Sequence, residues 1–525
     1  MVKLEIIPTH ETLRDCFEDS IASIALSFRQ GCELLFSRAW DFNFAPELLA
    51  TQTLGNSIQY PNNTPACLAK YYGIIPKPYQ TKDTDGLIEL IKSELLNGRP
   101  VIVRIDVCGC PWLPEYRTEV HRHHSCVISG FNDNEAKFYA TDPYFVKDSL
   151  EFPFTDFKNA YMEYTFFFTI QENYGEIDNW QDLLRDTLNN VNRSGSNPNI
   201  FTMIQNFAET AKTNLDFEKE FPDIYNNNTV WIYPLYSNLN NAARRRMQFI
   251  GTLQFLANKF DNKNLTILAK KFQRLFAKWS MVTSLIVKGA YQRKADFLVK
   301  EISDRLMEIA KDEEELANLI SQMIKSEDFV IEWDDSILVN EIKISEITYL
   351  DLKDAMNNKG FGDYRTGDCQ ADFTGMGEYI LTDGIPLDSI LQVNTMRFQL
   401  SPIQNDMNDN ISCTGQVINV AAFASGMMFL GCSEWGSFSG DVIINYENGT
   451  NESFSLELTD WYLSKPLFED TMAWSVQTVK RSNVIVKEVR YLYAQYHPLK
   501  QNGFVASITL PNCPNMHLFA ISVGK

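Results

Sequence analysis

Three residue types in the first third of the chain could together perform nucleophilic chemistry. Cys16 precedes an apolar run at 21–26 that has helical spacing. A thiolate at a helix N-terminus is stabilised by unpaired backbone N–H groups and by the helix dipole. His124 directly precedes a second apolar run, and Asp142 stands before a proline at the end of a third. A thiol, an imidazole and a carboxylate are the components of a cysteine-based triad.

Each of these residues also has a purely structural interpretation. Cys16 could be a small apolar residue at a helix start, and the nearby Asp15 and Glu18 would oppose a thiolate. His121 and His123 compete with His124 as the general base, but strand alternation places them together on the opposite face. We favour His124 because it leads directly into a strand at 125–129. Asp142 could instead only end a strand in an Asp-Pro turn.

The elements that must position these side chains are a set of helices followed by strands. Helices are predicted at 16–28, 64–72 and 84–96, and 97–100 supplies a stop signal. Strands are predicted at 101–107, on both sides of a turn at 132–134, and at 163–170. The first third therefore has the order of an α+β thiol hydrolase, and a hairpin can hold the imidazole beside the thiol.

The rest of the chain divides by its pattern into two further parts. A polar stretch at about 173–200 is predicted as a break, and helical spacing dominates 201–326. From about 328, short alternating runs separated by Gly, Asn and Asp predict a β-sandwich of jelly-roll type, with a hairpin turn at 447–450. We therefore predict three domains: a papain-like domain at 1–172, a helical bundle or cap at 173–327 and a β-sandwich at 328–525.

Five short blocks in the first third carry a resemblance to a known family. They lie at 15–20, 99–103, 110–116, 124–130 and 141–145. Together they resemble the N-terminal family of butirosin biosynthesis protein H, a papain-like cysteine protease homologue of bacterial natural-product clusters. They are also similar to the amide-forming cysteine protease homologue of closthioamide biosynthesis. The resemblance implies an acyltransferase that takes an acyl or peptidyl group from a carrier-protein thioester, as in nonribosomal peptide assembly, and gives it to an amine such as a diamine.

Carried over to this chain, the resemblance assigns roles to individual residues. Cys16 becomes the acylated nucleophile, His124 the base and Asp142 the acid that orients it. Papain-like enzymes place an oxyanion-hole Gln about six residues before the cysteine, where this chain has His10. His10, or the backbone N–H of Cys16 with a more distant amide, is therefore the candidate oxyanion donor.

The substrate and partners follow from the same implied chemistry. No cofactor is expected, because the acyl group would arrive on the phosphopantetheinyl arm of a carrier protein. The intermediate must be sheltered from water, and we expect the aromatic loop at 112–116 or the helices to shelter it. Trp112, Tyr116 and His121 are the candidate substrate-binding residues. The basic stretch 244–278 could dock an acidic carrier protein, although a solvated helix face explains it as well.

Composition and charge restrict the alternatives. The chain has 525 residues and a net charge of −20, which argues against nucleic acid as the main partner. No apolar stretch reaches the length of a membrane span, and residues 1–5 lack a signal-peptide apolar region, so we expect a soluble cytoplasmic protein without a membrane partner. The ten cysteines are scattered, which favours free thiols.

Two other sites are conceivable from the sequence. Cys108 and Cys110 with His121 and His123 suggest zinc, but their spacing is unlike that of zinc sites and no metal is expected. The tryptophans of the last part, at positions 435, 461 and 474, could line a glycan site or simply fill a core. A cysteine peptidase or amidase that transfers to water, and a non-catalytic scaffold or binding module, remain the alternative functions.

Overall fold

A computed structural model describes the chain of 525 residues except 12, 173, 175–176, 194–197, 225–229, 293–295, 327–328, 332–345, 364, 366–369, 376, 383–389, 401–406, 469 and 481–485. The chain forms two compact units. The first contains Met1–Leu215, Tyr233–Phe276 and Leu306–Ile331, and the second contains Asp216–Ile232, Ala277–Arg305 and Glu332–Lys525.

A seven-stranded antiparallel sheet forms the centre of the first unit. Its core is made by strand residues that alternate inward, such as Val101, Val103 and Ile105, and by the helix residues that cover them, such as Leu87 and Ile91. The strands lie in the spatial order Ile74–Tyr79, Tyr161–Ile170, Val101–Asp106, His123–Asn132, Lys137–Asp142 and Lys147–Pro153, and Val2–Lys3 pairs with His123–Asn132.

Local signals explain the first helices. Cys16–Arg29 begins after Asp15, whose carboxylate accepts hydrogen bonds from the backbone of Phe17 and Glu18. Thr64–Tyr72 has a proline in its first turn and ends at Gly73, which has a φ of 63°. Thr84–Leu96 is capped by Asp83.

Further helices come from the middle of the chain. They are Phe154–Ala160, Trp180–Asn192, Ile200–Asn214, Phe217–Glu220, Pro234–Phe260, Lys263–Gln292 and Asp296–Lys325. The last two are each divided between the compact units. In the first unit, a fully buried ion pair joins Arg246 to Glu313, and Glu313 also accepts a hydrogen bond from Trp40 Nε1 at 2.8 Å.

The second unit is built on a ten-stranded sheet. Two of its strands, Val417–Ser433 and Val486–Thr509, are very long, and their pairing is interrupted by register shifts at 419–422 and 424–426. Such irregularities let one strand bend between the two layers of a sandwich. The other strands are Ile347–Tyr349, Phe361–Gly362, Glu378–Leu381, Ile411–Thr414, Phe438–Tyr446, Asn451–Leu458, Thr471–Lys480 and Asn512–Gly524, with a separate hairpin of Ile390–Val393 and Met396–Gln399.

The predicted α+β organisation is confirmed, and so is a helical middle region followed by β-structure. One local prediction is wrong: the predicted polar break at 173–200 contains the helix Trp180–Asn192. That helix buries Trp180, Leu183, Leu184, Leu188 and Val191, and the exposed Asn189 and Asn192 lie on its outer face.

The numerical boundaries of the three domains stay predictions, and the one at 327–328 lies outside the described residues. Within the part of the chain that the structure describes, no helix combines the length and the apolar composition needed to cross a lipid bilayer.

Candidate active site

The sheet of the first unit brings the histidine and the aspartate together. His124 is the second residue of the strand His123–Asn132 and pairs with Ile105 on one side. Asp142 is the last residue of the neighbouring strand Lys137–Asp142. His124 Nε2 lies 2.8 Å from Asp142 Oδ2. The predicted pairing of this imidazole with this carboxylate is therefore present.

Asp142 is completely buried and anchored by a second donor. Trp112 Nε1 donates to Asp142 Oδ2 at 2.7 Å, so this oxygen accepts from both the indole and the imidazole. The other oxygen, Oδ1, has no hydrogen-bond partner among the described residues. A buried carboxylate with few partners strongly favours a positively charged neighbour. Its site therefore favours the imidazolium form of His124.

Cys16 completes the arrangement from the opening helix. It is the first residue of Cys16–Arg29, where the backbone N–H has no intrahelical acceptor. Because Nε2 of His124 faces Asp142, the remaining ring nitrogen, Nδ1, is the one available to a thiol. Burial lowers the pKa of His124, but hydrogen bonds to Asp142 and to Cys16, together with their charges, outweigh burial and raise it to about 9. A thiol from the first helix and an imidazole more than a hundred positions later are thus in hydrogen-bonding reach.

Aromatic side chains surround the imidazole. The short helical turn Pro143–Phe145 directly follows Asp142 and presents Tyr144 and Phe145. Their ring centroids lie 6.2 Å and 5.8 Å from that of His124. Both rings remain partly exposed. They form an apolar rim at which an acyl chain could pack.

His10 is held by a buried carboxylate. Its Nδ1 lies 2.6 Å from Oδ2 of Asp19, a fully buried residue of the opening helix, and its ring packs edge-on against Tyr144. Burial raises the pKa of Asp19, while the hydrogen bond and charge of His10 oppose that rise. When His10 and Asp19 together carry no net charge, the proton between them lies either on Nδ1 of His10 or on the Asp19 carboxyl group. In both cases Nε2 of His10 keeps its own hydrogen. His10 can therefore act as a hydrogen-bond donor.

The three predicted substrate-binding residues have different surroundings. Trp112 joins the site as the donor to Asp142. The hydroxyl of Tyr116 instead donates to Asp156 Oδ2 at 3.1 Å, and the exposed His121 pairs with Asp106 at 2.7 Å. Binding of substrate by these residues stays a prediction.

Sequence reasoning missed two contributors to this site. Asp19 lies one helical turn after Cys16, and a carboxylate within an apolar helical face was the available signal. Tyr144, which contacts both imidazoles, gave no sequence signal beyond its place after the Asp-Pro pair.

A cluster of possible metal ligands lies apart from the triad. Ligand atoms of Asp106, Cys108 and His121 lie within 4.8 Å of one another. Among the described residues, they are the group of three side chains that could hold a metal ion. The set considered from sequence is not assembled, because Cys110 is buried with its thiol on the carbonyl of Asp106 and His123 contacts Met162. His121 Nδ1 already lies within hydrogen-bonding distance of Asp106 Oδ2, at 2.7 Å.

The basic stretch 244–278 is less available than its sequence indicated. Arg246 is fully buried against Glu313, so it cannot take part in docking, which corrects that part of the prediction. Arg244 lies 3.5 Å from the carboxylate of Glu18, and Arg245 packs on the ring of Tyr60. Docking of a carrier protein on the remaining basic residues stays a prediction.

Comparisons with known proteins found two family matches and a similar solved structure. Residues 29–167 match the model of the Peptidase_C39 like family, and residues 347–525 match that of the AziU2-like beta-sandwich domain. A solved structure described as a C39-like peptidase from Bacillus anthracis is similar to this chain, with 16% identity, coverage of 33% of this chain and 98% of that one, and a TM-score of 0.20. No curated protein matches.

The first family match contains His124 and Asp142 and begins after Cys16. The fold thus comprises a papain-like N-terminal domain, a helical middle region and a C-terminal β-sandwich. Over residues 29–167 the chain is similar to the Peptidase_C39 like family, which supports a papain-like cysteine protease homologue in this part.

Proposed function

We propose that this protein is an acyltransferase that forms amide bonds through a thioester on Cys16. The acyl or peptidyl group would come from a carrier-protein thioester, and a small amine would accept it. His124 serves as the acid and base, and Asp142 orients it.

One observation carries the proposal: the imidazole of His124 is held between the thiol of Cys16 and the buried carboxylate of Asp142. Its pKa of about 9 keeps the ring protonated at neutral pH, with Asp142 and Cys16 as the stabilising partners. A thiolate beside an imidazolium is the reactive form of a catalytic cysteine.

The proposed reaction has two transfers. The Cys16 thiolate attacks the carbonyl carbon of the thioester, the carbon–sulfur bond to the carrier breaks, and the departing thiolate takes a proton from the His124 imidazolium. The amine nitrogen then attacks the enzyme thioester, His124 accepts a proton from that nitrogen, and the Cys16 thiolate leaves. The products are an amide and the original state of the site.

The negative oxygen formed in each transfer needs donors. The backbone N–H of Cys16 stands at the first position of the helix, without an acceptor inside the helix. His10 serves as the second donor when it and Asp19 together carry no net charge, because Nε2 of His10 then keeps its hydrogen. His10, positioned by the carboxylate of Asp19, thus takes the donor role that a glutamine amide plays in papain-like enzymes.

Two features support an amine rather than water as the acceptor. Tyr144 and Phe145 flank the imidazole and would shield an acyl thioester from water. Asp15, whose side chain is about half exposed, stands directly before Cys16, so its charge attracts an ammonium compound to the thioester. Arg244 approaches this carboxylate only to 3.9 Å.

The likeness to butirosin-type and closthioamide-type proteins supports a place in natural-product assembly, with a cytoplasmic phosphopantetheinyl carrier protein as the donor. The basic residues of 244–278 other than Arg246 are the proposed docking surface. No nucleic acid, membrane or cofactor takes part in this scheme.

The test is intact-mass analysis of the protein with an acyl thioester of N-acetylcysteamine. We expect one acyl adduct, its loss in Cys16→Ala, and an amide product when ethylenediamine is added. Cys108→Ala is the matched control, since Cys108 is another incompletely buried thiol of the same domain. It should keep both the adduct and the product.

The other outcomes identify the competing functions. An adduct that releases only free acid in the presence of the amine would make the protein a cysteine hydrolase. A protein that forms no adduct, and whose Cys16 does not react with iodoacetamide faster than Cys108, would be a non-catalytic scaffold or binding module.

A further inference from the structure

We propose that a cavity inside the second unit binds a small zwitterion, such as a free α-amino acid, with its ammonium group on Glu434 and its carboxylate at Lys288. The cavity has a volume of about 170 Å³, and all its walls belong to the second unit. This is below the roughly 300–1,000 Å³ of sites for drug-sized ligands. A ligand of amino-acid size is therefore appropriate.

Two buried acceptors in the wall lack partners. Glu434 and Asn515 are 6% and 3% exposed, yet Oε2 of Glu434 and Oδ1 of Asn515 have no hydrogen-bond partner among the described residues. Leaving a buried polar atom unpaired costs about 1–3 kcal/mol, and more for a charged group. Both atoms accept hydrogen bonds, so the missing partner must bring donors.

The two residues are fixed beside each other by the backbone. The N–H of Glu434 donates to the carbonyl of Asn515 at 2.9 Å, and Asn515 Nδ2 donates to the carbonyl of Glu434 at 3.2 Å. The amide nitrogen is thus occupied, and the amide oxygen is left for a ligand. An ammonium group offers three donors and a positive charge, which fits one carboxylate oxygen and one amide oxygen.

His517 contacts the same carboxylate group of Glu434. Its Nδ1 lies 2.8 Å from Oδ1 of Asn410, whose Nδ2 donates to Asn358 and Asp409, so Nδ1 is the protonated nitrogen. Its Nε2 lies 3.4 Å from Oε1 of Glu434. The imidazole therefore lies against one carboxylate oxygen of Glu434, and the other oxygen, Oε2, is left for a ligand.

The charges around the cavity also favour a zwitterion. Burial, reinforced by the charge of Glu434, raises the pKa of Asp460 to about 6, although backbone N–H groups donate to its carboxylate. Lys288 lines the same cavity and supplies the opposite charge. A ligand with a single cation would leave Lys288 unmatched, whereas a zwitterion uses both groups.

Trp435 at the rim is held in a strained conformation. Its φ is 61°, in the left-handed region that costs a non-glycine residue about 1–3 kcal/mol, and its side chain is 39% exposed. Ser284 Oγ fixes this turn by donating to the Trp435 carbonyl at 2.8 Å. Strain of this kind concentrates at ligand sites, and an indole face attracts an ammonium group.

The test is calorimetric titration of the full-length chain with L-valine and with L-serine. For L-valine, isobutylamine lacks the carboxylate and isovalerate lacks the ammonium group. We expect saturable binding of at least one amino acid, and binding about tenfold weaker for each half molecule if L-valine is that ligand. Glu434→Gln and Lys288→Met should each weaken amino-acid binding by about tenfold or more.

The matched control is Asp441→Asn, which removes one negative charge from an exposed position of the strand Phe438–Tyr446 and should leave the affinity unchanged. Binding of glucose instead of either amino acid, no saturable binding of either, or unchanged affinity in both cavity variants would overturn the proposal. Cys16→Ala should bind like the original chain, so this result is independent of the proposed acyl transfer.

Discussion

Replacing Asp142 with asparagine should lower the pKa of His124 and slow acyl transfer from Cys16. The exchange conserves shape. Because His124 and Trp112 both donate to Oδ2, an asparagine whose amide oxygen takes that position keeps both hydrogen bonds. The new amide nitrogen then occupies the place of Oδ1, which has no partner among the described residues. The variant thus removes the charge and leaves the geometry.

The size of the effect follows from the pKa of His124. A rise from 6.5 to about 9 corresponds to about 3 kcal/mol of preference for the imidazolium, shared between Asp142 and Cys16. The hydrogen bond to Asp142 raises the pKa of His124 more than the hydrogen bond to Cys16 does. Asp142 therefore accounts for about half of this preference or more. The Asp142→Asn variant should therefore lower the pKa of His124 by about one unit or more, and acylation should slow by about tenfold to a hundredfold.

The assay is the rate of acylation of Cys16 by an acyl thioester of N-acetylcysteamine, measured by mass spectrometry between about pH 6 and about pH 10. In the original chain, the rate should fall at alkaline pH with a midpoint near 9, as His124 loses its proton. In Asp142→Asn this midpoint should move toward neutral pH. Asp156→Asn is the control, since this carboxylate accepts from Tyr116 instead of from His124. An unchanged alkaline midpoint in Asp142→Asn would refute the electrostatic role given to Asp142.

Three further predictions concern the same unit. Trp112→Phe removes one donor to Asp142 and should cost about 1–2 kcal/mol of unfolding free energy in urea titrations, with the pH midpoint of acylation shifted only slightly. Glu313→Gln removes the negative charge that pairs with the buried Arg246 and should cost about 3–5 kcal/mol; a loss below about 1 kcal/mol would contradict the importance of that ion pair. Because the pKa of His124 is raised, its stabilising effect is complete below about pH 6.5 and disappears as the pH rises through about 9, so the unfolding free energy should fall by about 3 kcal/mol across that interval, and clearly less in Asp142→Asn.

Local signals let the sequence predict most of the elements around the site. Thr64–Tyr72 and Thr84–Leu96 are bounded as predicted, since a proline, a capping aspartate and a left-handed glycine act within a few residues of each helix end. The helix Trp180–Asn192 was not predicted, because the prediction followed the polar composition of this segment. Apolar residues nevertheless recur along one face of the helix, and their spacing decides which face is buried.

Charged residues were harder to interpret, because their environment depends on distant partners. Arg246 belongs to a basic run that looks like a solvated helix face. It is buried because Glu313, 67 residues later, accepts two of its hydrogen bonds. Nothing near Arg246 in the sequence indicates this partner, and the cost of burying a charge is offset only when the partner is present.

The triad depends both on local sequence signals and on partners that are distant in the sequence. Strand alternation separated His124 from His121 and His123, and His124 was favoured because it leads directly into a strand. The pairing of that strand with Lys137–Asp142 placed the carboxylate beside it. Trp112 was expected at the substrate, yet it donates to that carboxylate from a loop that no periodic pattern describes. The types and the spacing of residues can therefore indicate which group reacts. The donors that stabilise a buried charge, however, come from any part of the fold that places an N–H group beside it. For this reason the Trp112 and Asp142 variants test the structure, whereas Cys16→Ala tests a prediction that the sequence already made.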